Sequence, residues 1–189
     1  MANLFMNKKL QNWVKVNEEK IFGGKACLPS GEITVPASEF NAFYILLHAY
    51  NHVNSEGLGL RQLMDYYFVL QSVDIERKES VIALFEQFRI KKFASGAMWI
   101  MKEVFGMPEH MSIGDSNESE GRFLLNEVMK GGNFGHHDKR LKKIGKGKMV
   151  SVMNEMQHSM SIASHYPSAV FWRPIWIVYH FLWKRMTRK

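Results

Sequence analysis

The chain has one cysteine, Cys27, in 189 residues, which excludes an internal disulfide framework and fits a reducing compartment. A zinc ribbon, which needs several thiolates, is excluded as well. Long apolar runs are also missing. The nearest to one is "AVFWRPIWIVYHFLWKR" near the C-terminus, broken by Arg173, Pro174 and His180 and short of the roughly 20 apolar residues that cross a bilayer. A docked helix is expected there, in the core or at an interface, with lying on a membrane surface as the remaining reading. The opening "MANLFMNKKLQNW" has no apolar stretch backed by a small-residue cleavage site, so no secretory signal is read and a cytoplasmic protein without a transmembrane segment is expected.

Catalytic signatures are equally sparse. There is no G-x-S-x-G elbow and no D-x-D carboxylate pair, and Cys27 has no nearby histidine to mark it as a nucleophile. Neither a P-loop nor a dinucleotide-binding glycine fingerprint occurs.

What is present is an ordinary globular composition, 46% hydrophobic and 23% charged, so the chain is expected to fold as one domain. Its formal net charge of +7 favours anionic partners without choosing among them. Strand signals are few, and helical periodicity recurs along the chain. "NKKLQNWVKVNEEKI" places Leu10, Trp13, Val14 and Ile21 near one stripe. "GGKACLPSGEITVP" reads as a loop with one short extended piece near residues 31–36. Ser38 is placed to cap a nearly all-apolar helix reaching about Asn54, and "SEGLG" breaks it before a second helix from Leu60 to about Val73. Further helices follow in "RKESVIALFEQFRI", "KKFASGAMWIMKEVF", "EGRFLLNEVMK", "MVSVMNEMQHSMSIAS" and the aromatic C-terminal stretch. The expected fold is all-α, a single bundle of seven or eight helices spanning residues 1–189.

Two places could carry chemistry. His48 and His52 stand four apart on one helix face, a spacing at which two imidazoles can share a metal, with Asp65 as a third donor across the hairpin. Against that metal-enzyme reading, "AYN" between the histidines lacks the metalloprotease glutamate. A polar cluster of His48, His52, Arg61 and Asp65 that fixes how the two helices dock is the stronger reading, because a carboxylate among Leu60, Leu63, Met64 and Phe68 needs a partner. The same cluster could border a ligand site in which Asp65 orients or deprotonates a hydroxyl. The second place is "KGGNFGHHDKRLKKIGKGK", a glycine-rich stretch with six Lys or Arg between residues 139 and 148, Lys139 and Arg140 first among them. It reads as a solvated loop, as a phosphate contact, or, least favoured, as a nonspecific nucleic-acid contact.

Taken together, "FNAFYILLHAYNHVNSEGLGLRQLMDYYFVL" and "LLNEVMKGGNFGHHDKR" resemble the uncharacterised nucleotidyltransferase family, the fifth nucleotidyltransferase group. The resemblance rests on His48 and His52, the run from Gly57 to Gln62, Asp65 with Tyr66, Gly131 to His136, and Tyr166 with Pro167. It implies a polymerase-β-like sheet upstream, with a G-S turn and acidic residues that hold two Mg²⁺ ions and position an NTP. Even "FMNKKLQNW" resembles the family's segment just after that sheet. Nothing in these residues fills the sheet's roles, so the chain is expected to be the helical C-terminal half alone. The resemblance thus implies a lobe that binds nucleotide or acceptor substrate and does not transfer nucleotides by itself. It carries no cofactor of its own, and Mg²⁺ and NTP come only with a separately encoded catalytic domain. The alternative is a basic helical module that binds nucleic acid or a protein partner.

Overall fold

A computed structural model describes residues 8–54, 57–131, 157, 160 and 162–167. Seven α-helices and one β-hairpin lie among them: α1 (Lys8–Val16), α2 (Glu18–Ile21), β1 (Gly24–Leu28), β2 (Gly31–Val35), α3 (Ser38–Val53), α4 (Leu60–Leu70), α5 (Lys78–Gln87), α6 (Lys91–Glu103) and α7 (Glu118–Gly131). Short 3₁₀ turns at Ile75–Arg77 and Glu109–Met111 join the later helices. Most of residues 149–189, where two further helices are expected, lies outside the described residues.

The core is built around α3, which packs against α4 and α5. Its inward positions Ala42, Phe43, Leu46, Leu47, Ala49 and Val53 are all buried, the i, i+3, i+4 recurrence that gives a helix one apolar face. Removing a side chain such as Phe43 from water stabilises the fold by about 1.5–3 kcal/mol. Leu63, Tyr66 and Leu70 of α4 close on it, and Val81, Leu84 and Phe85 come from α5.

The first expected helix is two. The break falls at Asn17, whose backbone amide and side-chain Nδ2 both donate to Trp13 O, at 3.0 and 2.8 Å. Trp13 pins α1 to the core, its ring 5.8 Å from Phe43 and 6.1 Å from both Phe40 and Phe88.

Two expectations need correction. The fold is mainly helical and not all-α, because residues 24–35 form an antiparallel hairpin with Leu28 opposite Gly31 and Ala26 opposite Ile33. Pro29 sets one turn dihedral, and Gly31 has φ 132°, a conformation open to glycine. Only the second strand was legible as extended; "GKACL" has mixed polarity and little β-branching. Ser38 does not cap α3 either: Ala37 occupies that position, and the Ser38 hydroxyl lies 3.5 Å from Glu39 Oε2 instead.

The α6–α7 seam is closely packed. A Cβ on Gly121 would lie 2.4 Å from Trp99 Cε3, and one on Gly96 would lie 2.6 Å from Glu120 Cγ. Each helix therefore offers a glycine notch to a side chain of the other, which brings the two backbones close.

Candidate functional site

The first part of the site is a ladder of rings along α3. Phe40, Tyr44, His48 and His52 recur every four residues, so they stack one above another on a single helix face. Tyr44 lies 5.4 Å from Phe40, and His48 is nearly parallel to Tyr44 at 6.4 Å. At the C-terminal end the His48 and His52 rings are perpendicular, with their Nε2 atoms 3.0 Å apart. Such a bond requires one imidazole to donate from Nε2 and the other to accept there, which fixes complementary tautomers for the pair.

The chain then turns sharply. The Gly57 amide donates to His52 O at 2.8 Å with φ 89° at Gly57, and the Gly59 amide donates to Gln62 Oε1 at 2.9 Å. These two bonds close α3 and open α4, placing Arg61 in the first turn of α4, where unsatisfied N–H groups and the helix dipole favour anions.

The structure brings together only part of the expected polar cluster. His48 and His52 meet, whereas Arg61 and Asp65 are exposed on α4 with no hydrogen bond or ion pair between them or to the histidines among the described residues. The burial that made a partner for Asp65 necessary does not exist. Leu60, Met64 and Phe68, the apolar residues around it, are 37%, 46% and 60% exposed, and α4 instead turns Leu63, Tyr66 and Leu70 inward. Lys139 and Arg140 lie outside the described residues.

No group of three or more His, Cys, Asp or Glu gathers among the described residues.

A second constellation, which sequence reasoning missed, sits at the α6–α7 seam. Glu120 is only 3% exposed. Its Oε1 accepts from the Tyr166 hydroxyl, while its Oε2 lies 3.3 Å from Lys92 Nζ and 3.2 Å from His165 Nδ1. Lys92 also donates to His165 O at 3.0 Å and stands 5.5 Å over the Tyr166 ring. Tyr50, Phe93 and Phe123 surround that ring edge-on at 5.4–6.3 Å, and His165 stacks on Phe123 at 3.5 Å. Burial first, then the hydrogen bond and charge of Glu120, holds the Tyr166 hydroxyl above its ordinary titration range. Burial likewise raises Tyr50, against a lowering bond with Asn54. Tyr166 was visible in the sequence only as part of a quoted Tyr-Pro pair; Glu120 gave no signal.

A pocket of about 230 Å³ opens beside α5 and α6, lined by Phe85, Lys91, Ser95, Ile113 and Asp115 among others. None of its lining residues is one the sequence singled out. No helix among the described residues is long and apolar enough to cross a membrane.

Residues 14–106 match the model of a family described as uncharacterised nucleotidyltransferase. The matched segment runs from α1 to just beyond α6 and includes the ring ladder, the glycine turn, Arg61, Asp65 and Lys92, but neither Glu120 nor Tyr166. No curated protein and no solved structure matches the chain.

Proposed function

We propose, from the membership of residues 14–106 in the uncharacterised nucleotidyltransferase family, that the chain is a helical nucleotide- and acceptor-binding lobe of a cytoplasmic nucleotidyltransferase. The observation that carries this reading is the α3–α4 corner inside the matched segment, where an exposed Arg61 stands in the first turn of a helix. A guanidinium with five fixed donors beside outward amides is suited to phosphate oxygens. Asp65, exposed one turn further on, is placed to orient an acceptor hydroxyl on the same face. Lys139 and Arg140, which lie outside the described residues, are further candidates for phosphate contact by their charge.

Transfer itself needs more than this lobe supplies. In-line displacement at phosphorus depends on cations held by paired carboxylates against the charge of the phosphoryl group. These residues contain no D-x-D pair, and the described ones gather no metal-holding group. On this reading the carboxylates and their Mg²⁺ come with a separate catalytic domain, and the lobe's own part is to bind and orient.

Calorimetric titration with ATP, CTP, GTP and UTP plus Mg²⁺, run with and without the separate catalytic domain, tests the reading. At least one nucleotide should bind, and Arg61→Ala should weaken it about tenfold, equivalent to about 1.4 kcal/mol. If no nucleotide binds in either case, or if Arg61→Ala binds as tightly as the wild type, the assignment of this corner fails. The net charge of +7 supports one competing reading, a basic module for nucleic acid. That reading requires oligonucleotide affinity that falls steeply with salt.

A further inference from the structure

The pocket at the α5–α6 corner plays no part in the nucleotide reading, and two helices and a loop build it. Helix α5 ends at Gln87 and α6 begins at Lys91, so residues 88–90 alone turn the corner. Ile82 and Phe85, one turn apart on α5, and Ala94, one turn beyond Lys91 on α6, give the cavity its apolar wall. Ile113 closes it from the loop before α7, where it is buried with its amide donating to Met98 Sδ at 3.5 Å. Gly114 follows at φ 75°, and a Cβ there would lie 3.5 Å from Ile82 Cγ1. A longer side chain at that position would reach over the pocket wall.

The groups still open at the rim are acceptors. The Ser95 hydroxyl donates its proton to Lys92 O at 2.8 Å, which leaves Oγ able to accept. Asp115 is an exposed carboxylate with no hydrogen bond or ion pair among the described residues. Lys91, the one cation in the lining, is already engaged, its Nζ 2.7 Å from Glu86 Oε1. The hydrogen bond and charge of Glu86, and last the charge of Asp115, hold that ammonium above its ordinary range. Two carboxylates therefore face one cation here, although the whole chain carries +7. The group this mouth is left to satisfy is a positively charged donor.

We infer that this corner pocket binds a small amine, with a one-ring apolar body against Ile82, Phe85, Ala94 and Ile113 and an ammonium group donating to the Asp115 carboxylate. At about 230 Å³ the cavity falls below the roughly 300–1,000 Å³ of sites for drug-sized ligands. That size sets the limit at one ring and a short arm. The apolar wall supplies most of the affinity. Because the charges at the mouth are exposed, they select the ligand by a modest factor only.

Amide NMR titration of the full chain with phenethylamine tests it, against hydrocinnamate and phenethyl alcohol, which keep the ring and the arm and change the charge. The amine should shift the Ile82, Ala94, Ser95 and Ile113 amides saturably, with a dissociation constant at least about threefold below that of the acid. Asp115→Asn, at an exposed position where the fold does not depend on it, should weaken the amine at least about threefold and leave the alcohol within about twofold. Added salt should shrink the preference for the amine over the acid. The site is overturned if the amine gives no saturable shift at these amides, or if the acid binds as tightly as the amine. Undiminished binding of the amine to Asp115→Asn would overturn it as well.

Discussion

The α6–α7 seam and the β-hairpin are both organised by glycine, to opposite ends. At the seam, Gly96 and Gly121 are notches that let Glu120 and Trp99 press against a neighbouring helix. In the hairpin, Gly31 serves a turn conformation, and nothing lies within 4 Å of where its Cβ would be. The seam brings together the buried Glu120 carboxylate and one cluster of rings, Tyr50, Phe93, Phe123 and Tyr166. The hairpin leaves Leu28 and Ile33 at 48% and 45% exposure and ties its polar face with a solvent-exposed Lys25–Glu32 pair at 2.9 Å, a kind of pair worth little. The same residue type therefore marks stability in one region and only local geometry in the other, and the neighbours decide which.

Alkaline pH should separate the regions most strongly. The raised pKa values of Tyr50, Tyr66 and Tyr166 mean that above about pH 10 the folded chain holds protons the unfolded chain gives up. Stability should be complete below pH 10 and fall as pH rises beyond it, by up to about 1.4 kcal/mol per pH unit for each of these phenols. Phenolate absorbance followed with circular dichroism should show them ionising together with unfolding of the helices. Ionisation of all tyrosines before any loss of helix would contradict the burial of that cluster.

Gly121→Ala comes next. An alanine is about 1 kcal/mol better than glycine in an open helix, but here its methyl would meet Trp99, and overpacking a core costs about 1–3 kcal/mol. Urea denaturation should show net destabilisation, and an unchanged or higher midpoint would mean that the helices sit further apart. Smaller, and of opposite sign, is Tyr66→Phe. The Tyr66 hydroxyl is buried without a partner among the described residues, so its removal should leave stability unchanged or raise it by up to about 1 kcal/mol. Loss of stability would reveal a bond there. The least effect belongs to the hairpin: Ile33→Thr should stay within about 0.5 kcal/mol, and a larger loss would show that its apolar face is covered.

The helices were readable because apolar residues recur at helical spacing over long stretches, and His48 with His52 were readable because spacing alone puts them on one face. The Asp65 environment was misjudged because α4 carries two apolar stripes. Leu60, Met64 and Phe68 form one, Leu63, Tyr66 and Leu70 the other, and periodicity does not say which meets α3. Glu120 was illegible for a different reason. An acid in the first turn of a helix ordinarily sits in solvent beside the positive end of the dipole, and its burial here depends on a glycine on another helix and on a turn 45 residues away. The first strand of the hairpin escaped notice because five residues of mixed polarity have no period to read.

The most direct test of the central claim is to incubate the purified chain with α-labelled NTP and Mg²⁺, with and without the separate catalytic domain, and to follow retained label and released pyrophosphate together. Label should be retained at least when both parts are present, and the chain alone should release no pyrophosphate. Pyrophosphate released by this chain alone, or no label retained in either case with any of the four nucleotides, would contradict the account.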